Sequence, residues 1–149
     1  MSGWVSFFDL DELFRSSYVI SIHVPLTGDT HGMVNGRLLG LMKRGAFLVN
    51  TSRKGTVREA DLEEALKRRT ITGAALDVFE QEPVSPNNEL LQLDNFILTP
   101  HAAALTKECF LEMAASAMRR VIDVLEGRCP ENIVNPNVLS HQRWDHIRN

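Results

Sequence analysis

The chain has 149 residues, 44% hydrophobic and 23% charged, which is enough apolar material for one ordinary core and too much for a disordered segment. A formal net charge of -3, with no Lys/Arg run longer than Lys67-Arg68-Arg69, argues against a nucleic-acid partner. No apolar stretch approaches the ~20 residues that span a bilayer, and Met1-Ser2-Gly3-Trp4 leads into the acidic Asp9-Leu10-Asp11-Glu12, so no membrane or export segment is expected and the expected location is cytoplasmic.

In chain order, Asp9 to Arg15 carries Leu10, Leu13 and Phe14 at helical spacing, and Tyr18 to Val24 follows as a β-rich run ended by Pro25. Asn35 is placed to cap a helix with Leu38, Leu39 and Met42 on one face, and Gly45 is placed to end it. A strand over Ala46 to Val49 comes next, then a helix over Glu59 to Arg69 with Leu62, Ala65 and Leu66 on one stripe. Gly73 to Phe79 reads as a strand covered on both faces, interrupted by Asp77, and after a polar loop Asn95 to Leu98 reads as another buried strand. From Thr106 to Glu126 a long amphipathic helix repeats Phe110, Met113, Ala117, Val121, Val124 and Leu125, with Gly127 and Pro130 ending it. The order βαβαββα predicts an α/β fold, a parallel sheet with flanking helices. The polar tail after Leu139 is the one segment expected to be poorly ordered. Both cysteines, Cys109 and Cys129, lie in or just after the last helix, too far apart along it to bridge, and are expected to be buried thiols.

Four polar residues, Arg53, Asp77, Glu82 and His101, each stand where a hydrophobic run gives way to a turn. In open parallel sheets the rim at the carboxyl ends of the strands is where ligands bind, so these four form a candidate site. The other histidines, His23, His31, His141 and His146, have no metal-ligand spacing, and no metal is expected.

The stretches His23-Val24-Pro25-Leu26-Thr27, Met42 through Arg53 (MKRGAFLVNTSR), Ala74 through Pro83 (AALDVFEQEP) and Thr99-Pro100-His101-Ala102-Ala103 resemble the signatures of the NAD-dependent D-isomer-specific 2-hydroxyacid dehydrogenases. The resemblance runs in unbroken order over residues 5 to 139. It implies a Rossmann-type domain and a catalytic set of Arg53, Glu82 and His101. Arg53 would hold the substrate carboxylate and polarise its carbonyl, a task suited to a forked guanidinium that is always charged. His101 would be the acid/base, since imidazole exchanges protons near neutrality. Glu82 would pair with it and fix its tautomer. The implied contacts to NAD, or alternatively NADP, are Val24, Pro25, Thr51, Ser52, Arg53, Asp77, His101, Ala102, Ala103 and Ala104, with Asp77 accepting a hydrogen bond from the nicotinamide carboxamide.

The family's glycine-rich loop, G-x-G-x-x-G, does not occur in this sequence. The resemblance therefore implies the nicotinamide-side half of a dinucleotide-binding domain over residues 5 to 126, a return segment toward a substrate domain over 127 to 139, and a polar tail over 140 to 149. The expected activity is interconversion of a small 2-hydroxy acid and a 2-keto acid by the complete polypeptide. The isolated chain is expected to be an inactive fragment, and exposed apolar faces favour a homo-oligomer. The alternative is a non-catalytic dimerisation or interaction module. A third reading, a hydrolase using Ser52 and His101, lacks a nucleophile-elbow pattern. Two positions depart from the family pattern: Lys54 stands where glycine is usual, and Arg58 where an acidic residue often starts the helix.

Overall fold

The computed structural model describes residues 5–147, the side chain of residue 146 excepted, so the opening Met1 to Trp4, the His146 side chain and the last two residues of the tail lie outside the described residues. The chain divides into two compact units, one ending at Ala103 and one starting at Ala104.

In the first unit, α1 (Leu10–Ser16) starts at Asp9, whose carboxylate accepts the Glu12 amide at 2.8 Å. Strand β1 (Val19–Ile22) follows, then α2 (Gly36–Leu41), where Asn35 Oδ1 accepts the Arg37 and Leu38 amides at 3.1 and 3.3 Å. The helix does not run to Gly45 as expected. It closes at Met42, which is extended and only 5% exposed; burying that side chain takes the backbone out of the helix, and Gly45 instead lies against the Tyr18 ring. Next come β2 (Phe47–Asn50), α3 (Glu59–Lys67) with Leu62, Ala65 and Leu66 buried as its spacing predicts, and β3 (Gly73–Leu76). A 3-10 turn over Glu89–Gln92 leads to β4 (Phe96–Leu98).

The four strands are all parallel and lie in chain order, β1-β2-β3-β4, with Ile20 opposite Leu48, Leu48 opposite Ala74 and Ala74 opposite Phe96. Successive side chains alternate between faces. Ile20, Ile22, Leu48, Ala74 and Leu76 join Phe14, Leu38, Leu39, Leu62 and Leu66 in one core. Val19, Phe47 and Ile97 leave from the other face and are 64%, 45% and 67% exposed.

Two strand expectations change. β3 stops at Leu76: the Asp77 amide still donates to Asn50 O at 2.9 Å, but the chain bends there and buries Val78 and Phe79 outside the ladder. β4 is an edge strand rather than a buried one, because an apolar run of three residues carries no sign of whether a further strand flanks it.

The second unit holds α4 (Lys107–Leu125), capped by the Thr106 hydroxyl accepting the Cys109 amide at 3.1 Å. None of its residues is buried, and Phe110, Met113, Val121 and Leu125 are exposed. The buried-thiol expectation fails for the same reason: Cys109 is half-buried and Cys129 exposed, both free. Of the segment after Leu139, expected to be poorly ordered, the described residues form 3-10 turns over Pro136–Ser140 and Gln142–Ile147. Its apolar Trp144 and Ile147 gather with Val124, Ile133 and Val138.

Candidate active site at the carboxyl rim of the sheet

Asp77 is the first residue beyond β3 and is 3% exposed. A carboxylate so enclosed needs donors to remain charged, and the segment leaving β4 supplies them. Thr99 Oγ1 and the Ala102 amide donate to Oδ1, the latter at 2.8 Å, and the Ala103 amide donates to Oδ2 at 2.9 Å. Burial pushes this carboxyl up, but the Thr99 hydroxyl, the two amides and the His101 charge outweigh burial together and hold it below the usual carboxylate range. Asp77 thus ties the ends of β3 and β4 together.

Between Thr99 and Ala102 the backbone passes through His101 with φ +54°, the left-handed region that a non-glycine residue occupies only when its surroundings impose it. Its Nδ1 lies 3.0 Å from Glu82 Oε2, while Glu82 Oε1 accepts the Phe79 amide at 2.9 Å. The Phe79 amide, then the bond to His101, hold the Glu82 carboxyl below its ordinary value against burial, with smaller help from the charges of His101 and Lys54. Asp77, Glu82 and His101 line one cavity of about 470 Å³ whose walls include Phe79, Val84 and Leu98. With Nδ1 engaged by a carboxylate, Nε2 is the ring nitrogen left open to a ligand.

Arg53 stands on the same rim, three residues beyond β2, but is not among the residues lining this cavity. Its guanidinium donates to the Ser52 carbonyl at 2.7 Å and is exposed. The loop that carries it is organised by Asn50, 1% exposed, to which the sequence motifs assign no role. Asn50 Oδ1 accepts the Ser52 amide and hydroxyl at 3.0 and 2.8 Å, and Nδ2 donates to Arg53 O and Thr56 Oγ1 at 3.3 and 3.1 Å. Thr56 Oγ1 in turn donates to Arg53 O at 2.8 Å. The available signal is an Asn closing an apolar strand two residues before Ser, a pattern that favours a side-chain turn. Thr99, the hydroxyl partner of Asp77, likewise stands within a quoted motif that assigns it no role of its own. Thr51 is exposed and Ser52 half-buried in the Asn50 loop. Val24, half-buried, and Pro25, exposed, follow β1, and Pro25 O accepts the Thr30 hydroxyl at 2.6 Å. Ala102 and Ala103 serve Asp77 through their amides, and Ala104 is exposed as the first residue of the second unit.

Residues 2–103 match the family model described as D-isomer specific 2-hydroxyacid dehydrogenase, NAD binding domain. The chain is 47% identical over 144 residues to the glyoxylate reductase of Thermofilum pendens, covering 97% of this chain and 42% of that protein. It is 43% identical over 131 residues to the D-3-phosphoglycerate dehydrogenase of Archaeoglobus fulgidus, covering 88% of this chain and 25% of that protein. Among solved structures it is similar to the TT0316 protein from Thermus thermophilus, with a TM-score of 0.82 at 42% identity over 87% of this chain and 41% of that one. It is also similar to the NAD-complexed D-isomer specific 2-hydroxyacid dehydrogenase of Lactobacillus delbrueckii ssp. bulgaricus, with a TM-score of 0.78 at 27% identity over 86% of this chain and 43% of that one. The chain therefore spans 42% or less of the length of these two curated relatives. The parallel sheet with its crossover helices is of Rossmann type.

Proposed function

The chain belongs to the D-isomer-specific 2-hydroxyacid dehydrogenases, and from that membership we propose that it carries the acid/base side of an oxidoreductase interconverting a 2-hydroxy acid and a 2-keto acid with NAD(H). The observation that carries this reading is the His101 imidazole, 3.0 Å from Glu82 and lining the same cavity as the buried Asp77 carboxylate.

The cavity fits a nicotinamide. Its walls are largely apolar, as a flat ring requires, and among the described residues Asp77 Oδ2 accepts only the Ala103 amide, leaving capacity for a carboxamide donor. When bound, the reduced nicotinamide supplies the hydride. The residues of this chain do the rest. Arg53 holds the substrate carboxylate with paired donors. His101 gives a proton through Nε2 to the carbonyl oxygen as it becomes a hydroxyl, and takes it back in the reverse direction. Glu82, on Nδ1, fixes the tautomer and offsets the imidazolium charge. Val24, Pro25, Thr51, Ser52 and Ala102 to Ala104 complete the cofactor contacts, with NADP(H) as the alternative cofactor.

In this reading residues 5–126 form the partial dinucleotide domain and 127–139 the return segment. The exposed apolar side chains of α4 support assembly with a second copy. A cytoplasmic location is supported by two free thiols, and among the described residues no helix is long and apolar enough to cross a membrane.

The test is a chimera in which this chain replaces the matching segment of the Thermofilum pendens glyoxylate reductase, assayed for NADH oxidation with glyoxylate, hydroxypyruvate and pyruvate, beside an NADH titration of the chain alone. Turnover that disappears on His101→Ala supports the reading. Turnover indifferent to both His101→Ala and Arg53→Ala sinks it and favours a non-catalytic interaction module.

A further inference from the structure

The His101 side chain is 55% exposed, so packing alone does not fix the direction in which its ring points. We propose that Thr99 is a positioning residue for that imidazole, acting through Asp77 and through the backbone on either side of His101. The catalytic consequence rests on the acid/base reading of His101; the geometry does not. Thr99 stands where β4 gives way to the loop. Its amide donates to Leu76 O at 3.1 Å, continuing the β3–β4 ladder past the paired Leu76 and Leu98. Its carbonyl accepts the His101 amide at 3.0 Å, and its hydroxyl donates to Asp77 Oδ1. Beyond His101, the Ala102 and Ala103 amides donate to the same carboxylate at 2.8 and 2.9 Å. His101 therefore sits in a turn closed from both sides by one acceptor, itself 3% exposed.

That closure accounts for the left-handed φ of +54° at His101, a conformation that crowds the Cβ and persists only where bonds outside the residue impose it. The chain between is stiff. Pro100 has a ring-fixed φ and confines Thr99 before it to extended backbone, which leaves few torsions to absorb a displacement at Thr99 before it reaches His101. At the ring, Nδ1 lies 3.0 Å from Glu82 Oε2, and the Phe79 amide holds the other Glu82 oxygen at 2.9 Å. Because Glu82 is tethered, a turn of the His101 backbone carries the ring away from it. Asp77, Glu82 and Lys54 are the charged groups whose effects meet here. Thr99 adds no charge, and Asp77 keeps two amide donors without it, so removing the hydroxyl leaves those charges in place and changes position only.

Heteronuclear NMR on the full chain tests this by following the His101 ring resonances, with Glu82→Gln as the probe of the ring's contact with that carboxylate. In the parent chain Glu82→Gln should shift them. In Thr99→Val, which keeps the shape but lacks the donor, that shift should be largely lost, and Thr99→Ser should restore it. Thr99→Ala should match Thr99→Val, and circular dichroism checks that each variant is folded. A shift of equal size in every background, a loss in Thr99→Ser equal to that in Thr99→Val, or a full shift in Thr99→Ala overturns the proposal. The kinetic counterpart is read in the chimera: Thr99→Val should lower kcat ~10- to 100-fold with the KM for NADH unchanged, and Thr99→Ser should not. A kcat equal to the parent's, or a loss carried by KM instead, overturns the positioning role. Turnover that ignores His101→Ala sinks the acid/base reading alone, since the ring resonances still decide whether Thr99 positions the imidazole.

Discussion

Glu82 bridges two partners at once: one carboxylate oxygen lies 3.0 Å from His101 Nδ1 and the other accepts the Phe79 amide at 2.9 Å. The carboxylate bonded to the histidine is therefore itself held by backbone, which restricts its freedom to turn away.

If that pair acts as one acid/base unit, its members are not additive. In the chimera, His101→Ala should lower kcat by ~10² to 10⁴-fold and Glu82→Gln by less. The double variant should be no slower than His101→Ala alone. Steady-state NADH oxidation checks this, and multiplying losses would show that Glu82 acts independently of the imidazole.

Asp77 makes a separate prediction about stability. Asp77→Ala leaves the Thr99 hydroxyl and two backbone amides without their acceptor at a part-buried site, a loss of about 1–3 kcal/mol. Asp77→Asn should not rescue it, because the amide NH₂ would face a donor where the carboxylate accepts one. Urea denaturation of the three proteins measures the order.

The pH dependence has a defined sign. Asp77 and Glu82 are both held below the ordinary carboxylate value when folded, so the unfolded chain binds more protons than the folded one in acid. Their contribution is complete above the unfolded carboxyl pKa of about 4 and is lost as pH falls through the lower folded values. Urea midpoints measured from pH 7 to pH 3 should fall on the acid side. That fall should be shallower in Glu82→Gln, and a variant with the same acid limb would contradict the assignment.

Asn50→Ala should cost about 1–3 kcal/mol, since it removes a buried side chain that serves both the Ser52 amide and the Arg53 carbonyl. Faster amide hydrogen exchange at Ser52, with β1 pairing unchanged, would place the effect in the loop. Uniformly faster exchange would instead mean that Asn50 supports the whole sheet.

Much of this architecture can be read from residue order because it depends on local chemistry. Asp9, Asn35 and Thr106 cap helices through their own side chains, and the stripe Leu62, Ala65, Leu66 is buried as helical spacing dictates. What cannot be read depends on distant partners. That Ile97 is exposed follows from its lying on the same open face of the sheet as Val19 and Phe47, which no residue near it records. Met42 ends α2 by burying itself, although Gly45 carries the stronger local stop signal. At the site, motif resemblance picks out Asp77, Glu82 and His101. The donors that make Asp77 tolerable, Thr99 and the amides of Ala102 and Ala103, arrive from more than 20 residues further on. Asn50 escapes sequence reasoning because a buried amide inside a loop motif resembles an ordinary turn former until its four partners are seen.

Strand order identical to chain order carries a consequence for synthesis on the ribosome. Each strand pairs with the one made just before it, so no segment of the sheet has to wait for a distant sequence to be translated. β4 is the last to dock, and only then do Thr99 and His101 reach Asp77 and Glu82. A chain ending before residue 96 would lack the Thr99 hydroxyl and the two amides that bond Asp77 and the imidazole beside Glu82, so both carboxylates depend on the segment leaving β4 for these partners.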